Sequence, residues 1–381
     1  MSIKTTVARL VGLRDTDIFF AKSMRHPWWL WRFSQLPLQR FVFPTLLPVD
    51  DIDRELSARI IAFYRRASES SGAEKSAMWE RSLASNQAPL IDAVKRQDVE
   101  GLAELLRGFL RSSLVRGIDA GDSYLTGNWR IHCLKLLDSL VSLAEQIGVA
   151  RAESSQGAAA EALRNGIPAV VADIERRLAI RIDVPDVGGP YGLAVGDQLF
   201  TLNSAEYVRM AWRVSQCVAA GPLRVLEVGA GYGALAHRFL QIAQVEKYTI
   251  IDLPEIACLQ AYYLGKILGP EAVSLYGEPD TGKVRILPPE ALGTVDRPNV
   301  VINQDSLPEI PAAAAENYLN WIRENLDGIF FSCNHETLVP GFAVTYLPEL
   351  IDRVGGFQRV SRDMCWSRPG YVEEVYVPMR Q

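Results

Sequence analysis

The residues best placed to do chemistry lie in two stretches, LRVLEVGAGYGALA at 223–236 and YTIIDLP at 248–254. In the first, a run of branched apolar residues closes on Glu227 and then on Gly229, Gly231 and Gly233; in the second, an apolar run closes on Asp252. The pattern reads as a buried parallel strand turning sharply into a helix, with glycines that let the backbone pass close to a ligand and a helix start that points free N–H groups at it. An acid at the end of the next strand is placed to hold the two hydroxyls of a ribose, and Leu253 would flank an adenine. An adenosine-containing cofactor follows from this pair. Gly229, Gly231 and Ala234 also fit the dinucleotide fingerprint G-x-G-x-x-A, so the glycines alone do not choose between cofactors. Glu227 does. A carboxylate at that strand end would repel a pyrophosphate, whereas it suits the cationic methionine end of S-adenosylmethionine.

A second set of polar residues follows two later strand-like runs: Asp305, Ser306 and Glu309 after NVVINQ, and Asn334, His335 and Glu336 after GIFFSC. Strand ends of this kind line the ligand crevice of a doubly wound sheet. Transfer of a methyl group to a hydroxyl is an in-line displacement that needs alignment and removal of a proton. His335 is the leading general base, because imidazole alone has an ordinary pKa near neutrality. Asp305 is the next candidate, either as base or as a ligand for a divalent cation with Glu309 or His335; the pattern contains no evident cation cage, and a metal is not favoured. Asp305 and Glu309 also suit a capping role for the following helix. Asn303 and Gln304 are placed to meet the methionine carboxylate or the sulfonium. Tyr207 and Arg209, entering the first strand, either close over that carboxylate or pack. Glu309, Asn334 and Tyr191, the last in the glycine-rich stretch 188–196, fall on the acceptor side, with 188–196 as a flexible cover. His237 and His132 read as packed helix residues.

These residues need a frame. From about 200 onward strand and helix signals alternate: helix 204–218, strand 223–228, helix 233–244, strand 248–252, helix 255–268, strand 273–277, strand 299–304, helix 312–326, strand 328–333, helix 345–354, and two alternating strands at 357–366 and 371–379. Alternating βα units imply a mostly parallel α/β sheet of Rossmann-like type, and the terminal hairpin makes one edge antiparallel. Residues 51–182 read as helices, with apolar stripes at 98–117 and 128–148 and further helices at 51–69 and 157–180. The glycine- and proline-rich run 183–196 marks the junction between an all-α N-terminal domain, 1–185, and the cofactor domain, 186–381.

The chain has 381 residues, 48% apolar and 22% charged, with a net charge of −5. No basic excess exists to neutralise phosphates, which excludes a general nucleic-acid binder. Five scattered cysteines without a C-x-x-C pair suggest reduced thiols and a cytoplasmic setting. Neither a membrane span nor a signal peptide is evident. The arm at 25–48 packs Trp28, Trp29, Trp31, Phe33, Phe41 and Phe43 among arginines. It reads as a segment lying across the protein's own body, with peripheral membrane contact or a homodimer face as alternatives.

The combination EVGAGYGALA, YTIIDLPEIACLQAYYL (248–264), VVINQDSLPEI (300–310) and FFSCNHE (330–336) resembles the sugar O-methyltransferase family. DLPE followed by a helix bearing Tyr262, Tyr263 and Leu264 is its most specific element, then Asn303, Asp305, Ser306 and Glu309, with Asn334 completing the pattern. The match spans roughly 190–380, and SAMWERSLASN (76–86) extends it loosely into the front half. The resemblance implies a seven-stranded class I methyltransferase sheet, S-adenosylmethionine as donor, and a hydroxyl of a sugar or sugar-containing metabolite or glycan as acceptor. The DLP element is also similar to that of small-molecule O-methyltransferases acting on phenolic rings, although these carry a base histidine on a helix that this chain lacks. A nicotinamide-dependent oxidoreductase and a non-catalytic cofactor-binding scaffold are the remaining alternatives.

Overall fold

A computed structural model describes residues 15–26, 41–70, 72, 74–119, 121–122, 128–154, 156–157, 161–338 and 344–379. Trp28, Trp29, Trp31 and Phe33 of the aromatic arm lie outside the described residues.

The sheet that carries the glycine turn has strands β4 (Leu223–Val228), β5 (Val245–Ile251), β6 (Val273–Leu275), β7 (Val284–Leu287), β8 (Val300–Gln304), β9 (Ile329–His335), β10 (Phe357–Met364) and β11 (Tyr371–Pro378). Their order is β10-β11-β9-β8-β4-β5-β7-β6. All neighbours from β9 to β6 pair in parallel, and β11 runs antiparallel between β9 and β10. The fold is therefore a mostly parallel, doubly wound α/β sheet with an antiparallel edge hairpin. The sheet has eight strands where seven were expected. The run at 273–275 is an edge strand, and β7, with only four residues between a polar loop and two prolines, is the one that pairs with β5.

Chain order turns back between β4 and β8, because β5 leaves β4 on one side and β8 joins it on the other. Crevices form at such switch points, outside the carboxyl ends of the strands. The apolar runs of β4 and β8 are buried on both faces, as a parallel sheet between helix layers requires.

The front half contributes α1 (Asp15–Lys22), α2 (Asp51–Ser70), α3 (Ala77–Ser85), α4 (Ala88–Lys95), α5 (Val99–Leu106), α6 (Trp129–Gln146) and α7 (Ile167–Leu178). The single helix expected over 98–117 stops at Leu106; Gly108 interrupts it, and two 3₁₀ turns at 109–111 and 113–115 replace its second half. The helix expected from 157 begins at Ile167. The junction is ordered too. Strands β2 (Gly192–Val195) and β3 (Gln198–Phe200) form a tight hairpin, with Gly196 at φ +63°, and β1 (Phe41–Val42) joins its open edge. The front half is thus not purely helical.

Helices α8 (Ser204–Ser215), α9 (Ala234–Ile242) and α10 (Pro254–Leu268) pack on one face of the sheet, and α11 (Ala312–Asn325) and α12 (Leu347–Val354) on the other. Helix α2 lies on α10, tied by Tyr262 donating to Asp53 (2.9 Å) and Lys266 to Asp53 (2.8 Å), and Arg59 pairs with Glu278 (2.7 Å) in the loop after β6. One buried apolar cluster runs from Leu56, Ile60 and Phe63 through Phe109 and Tyr262 to Ile250 and Val375, so helices and sheet share a core.

Candidate functional site

The carboxyl ends of β4, β5, β8 and β9 open into one cavity of about 1110 Å³, roofed by residues of the front half. Pockets for single ligands measure roughly 300–1,000 Å³, so this cavity is larger than one small ligand requires. Glu227, Gly229, Gly231, Asp252, Leu253, Gln304, Asp305, Glu309 and His335 all reach its wall.

The glycine turn is built for close approach. Gly229 has φ +73° and Gly231 φ +55°, a region costly for other residues. A Cβ on Gly229 would stand 2.3 Å from the Ser306 side chain. Beneath the turn Glu227 is 2% exposed, its carboxyl accepting from the Tyr248 hydroxyl at 2.8 Å. Burial, with help from the Asp252 charge, pushes its pKa up to about 8. The carboxyl is held by one neutral donor only, so a cation placed beside it would ionise it.

Asp252 is fixed from three sides. Its Oδ2 accepts from the Ala230 N–H (3.0 Å) and Gln260 Nε2 (2.6 Å), and its Oδ1 from the Leu253 N–H (2.8 Å). Burial outweighs these bonds and raises the pKa to about 7.

Across the cavity, Asp305 takes a left-handed conformation at φ +62°. Its Oδ2 receives a 2.5 Å ion pair from Arg368, whose guanidinium lies 3.6 Å over the Tyr371 ring. Its Oδ1 is buried without a protein hydrogen bond, as is His335 Nδ1. Unsatisfied buried polar atoms facing a cavity are natural contacts for a ligand. His335 ends β9 and packs edge-on against Tyr371. Glu309 is 6% exposed and accepts from Trp79 Nε1 at 3.0 Å; burial and the Asp305 charge push its pKa up to about 8.

Other expected site residues stand elsewhere. Asn303 is fully buried; it donates to the Val228 carbonyl (2.9 Å) and accepts from Asn334 (2.9 Å), while Ser306 donates to the same carbonyl (2.7 Å). This network pins the loop after β8 to the end of β4, so Asn303 and Asn334 shape the wall from behind rather than touching a ligand. Gly233 opens α9 at φ +94°, packed against Leu264. Tyr191 is a core residue, 5% exposed, stacked on Phe43 and bonded to the Gly121 carbonyl, not a cover over the crevice. Arg209 has no exposed surface and is locked to Glu206 (2.8 Å) and Glu373 (2.5 Å); that burial removes it from any carboxylate-binding role, while Tyr207 does reach the cavity.

Sequence reasoning missed Lys75, Trp79, Arg368 and Tyr371 as wall residues. The sequence carries a signal near each pair: SAMWERSLASN contains Trp79 and begins one residue after Lys75, and the terminal hairpin of 357–366 and 371–379 contains Arg368 and Tyr371. Among the described residues, the clusters with metal-ligand spacing are Cys333, Cys365 with Glu373, and His26, Glu145 with Glu153; Asp305, Glu309 and His335 do not form one.

Compared with known proteins, the chain matches no family model and no curated protein. Solved structures do align. The glycopeptide N-methyltransferase MtfA aligns at 16% identity over 45% of this chain and 90% of its own, with a TM-score of 0.35. Magnesium protoporphyrin IX methyltransferase (ChlM) from Synechocystis PCC 6803 with bound SAH aligns at 14% identity, 49% and 90%, with a TM-score of 0.34. The CcbJ methyltransferase from Streptomyces caelestis aligns at 16% identity, 46% and 90%, also with a TM-score of 0.34. At such values the fold assignment rests on the strand order itself.

Proposed function

We propose that this protein is an S-adenosylmethionine-dependent methyltransferase that methylates a hydroxyl of a sugar or sugar-containing molecule. The observation that carries the reading is Glu227, a carboxyl buried under a glycine turn at the sheet's switch point, with Asp252 held beside it by two backbone N–H groups. The residues present fit the cofactor: Gly229 to Gly231 leave a backbone cradle, Asp252 suits ribose hydroxyls, and Glu227 suits a cationic methionine end. A pyrophosphate would meet these carboxyls instead of cationic donors. When bound, S-adenosylmethionine supplies an electrophilic methyl group.

The chain's own residues then have two tasks, to align the acceptor and to take its proton. Alignment falls to the wall formed by Trp79, Glu309 and Tyr371. For the proton, Asp305 is the weaker candidate, since its Oδ2 is committed to the ion pair with Arg368. His335 faces the cavity with Nδ1 unbonded, and we assign it as general base. A positioned base contributes about 10²–10⁴ in rate.

Calorimetric titration with S-adenosylhomocysteine and, separately, NADH tests the cofactor. Binding of the thioether alone supports the reading; binding of NADH alone overturns it and makes the turn a dinucleotide site.

A further inference from the structure

Among the described residues, eight acids reach the cavity wall, against two permanent cations, Lys75 and Arg368. Both cations are committed: Lys75 stands 3.3 Å from Glu255, and Arg368 2.5 Å from Asp305. Besides the glycine turn, which belongs to the cofactor in the reading above, the helix starts of α3 and α11 border the cavity, and each has a carboxylate two residues ahead of its cap: Glu74 before Ser76 at α3, and Glu309 before Pro311 at α11. A phosphorylated or nucleotide-linked sugar would thus bring negative charge into a carboxylate-lined space with, among the described residues, no uncommitted cation to receive it.

Resting on that methyltransferase reading, we propose that the acceptor is an amine-bearing polyol, such as an amino sugar, whose protonated nitrogen seats against Glu309 beside Trp79, and that phosphate-bearing sugars are excluded. Glu227 and Asp252 are accounted for by the cofactor, Glu206 by Arg209 and Asp305 Oδ2 by Arg368, while Asp119 accepts from Asn203 and Glu290 from the Gly72 N–H. Among the described residues, Glu309 is the buried wall acid left with neither a cation nor a cofactor contact. It is almost wholly buried, faces the cavity, and has the Trp79 indole N–H as its protein partner. A buried carboxyl with a single neutral donor is poorly satisfied, and an ammonium group supplies both the charge and the remaining hydrogen bonds. Its pKa of about 8 has the same meaning, since burial keeps the side chain mostly protonated at neutral pH and an arriving cation would favour its ionised form. The Trp79 ring adds a face over which the apolar side of a pyranose, or the cation itself, can lie.

The test is saturation-transfer NMR on protein loaded with S-adenosylhomocysteine. Three matched panels are used: glucosamine, galactosamine and mannosamine; the parent hexoses; and the hexose 1-phosphates with UDP-glucose and UDP-galactose. At least one amino sugar is expected to bind about tenfold or more tighter than its parent hexose, and the phosphorylated panel not at all. In Glu309→Gln the ratio of amine to parent-hexose affinity is expected to fall to about one, whatever the variant does to hexose binding itself. Binding of the phosphorylated panel, equal binding of amines and parents, absence of amine binding, or an amine preference that survives Glu309→Gln would each overturn the proposal. If Glu309→Gln does not fold, the ranking on the unaltered protein decides. Failure to load S-adenosylhomocysteine in the first step refutes the methyltransferase reading instead, which separates the two.

Discussion

Glu227 carries a cost in the ligand-free protein that reveals its purpose. An unfolded chain ionises this carboxyl near the ordinary glutamate value of about 4.3, whereas the folded chain holds its proton up to about 8. Between those values the folded state binds more protons than the unfolded one, so this group's contribution to stability is complete below about pH 4 and is lost as pH rises through 8. A glutamine of the same shape keeps the bond from Tyr248 and never has to ionise. Glu227→Gln is therefore expected to stabilise the ligand-free protein at pH 8 by at least about 1 kcal/mol, with little effect near pH 4.5, in urea unfolding followed by circular dichroism. The same variant should bind S-adenosylmethionine at least about tenfold more weakly, because the cation loses its counter-charge. A destabilised variant at pH 8 would show that the carboxylate serves the fold. Glu227 was legible in the sequence because an acid inside an apolar strand end is anomalous. Glu309 was legible as a position but not as a proton holder, since its burial depends on Trp79, 230 residues away in the chain.

At the scale of elements, what the sequence revealed follows from whether a signal is local. The glycine turn, β4, β5, β8 and the helices between them each write their period into one stretch, and all appear close to their expected bounds. The elements that escaped have signals shorter than a period or hidden by punctuation. Strand β7 has four residues, and the β2–β3 hairpin sits among glycines and prolines that read as a break. Arg209 and Tyr191 looked like surface chemistry, and only packing shows them enclosed by Glu206, Glu373 and Phe43. The turn itself yields a sharp test. At Gly229 an added Cβ meets Ser306 at 2.3 Å in a left-handed conformation, whereas at Gly293 nothing lies within 4 Å. Gly229→Ala is expected to lower stability by about 1–3 kcal/mol and to abolish cofactor binding, and Gly293→Ala to change neither by more than about 0.5 kcal/mol. Thermal melts and calorimetry on the pair check this; cofactor binding retained by Gly229→Ala would remove the turn from the site.

Across the whole molecule, the cavity is closed by a segment far from the sheet in sequence. Helix α1 puts Phe19 and Phe20 on the cavity wall, and the residues just after it are anchored to α6. The N–H groups of Arg25 and His26 both donate to Asp138 at 2.8 Å, His26 Nδ1 stands 2.8 Å from the same carboxylate, and Nε2 stands 3.3 Å from Glu145. Arg25 lies 3.5 Å over the Trp366 ring, and Lys135 donates to the carbonyls of Ser23 (3.0 Å) and Ser367 (3.4 Å), one residue from Arg368. The anchor thus joins the roof to the loop that holds Asp305. Burial opposes the charge on His26, but the bonds and charges of Asp138 and Glu145 outweigh it and raise the pKa to about 9. With the folded value raised above the ordinary 6.5, the stability this group adds is complete below about pH 6 and disappears as pH passes 9. Burial also pushes the Lys135 pKa below the ordinary lysine value, so the pH dependence of the unaltered protein alone does not isolate the histidine. The difference between it and His26→Gln does. That difference is expected to be about 1–3 kcal/mol at pH 6, from a buried charged pair losing one member, and to shrink toward zero by pH 10. Urea unfolding at both pH values measures it; a difference that is constant with pH would mean that His26 packs rather than pairs, and would leave the roof without its electrostatic anchor.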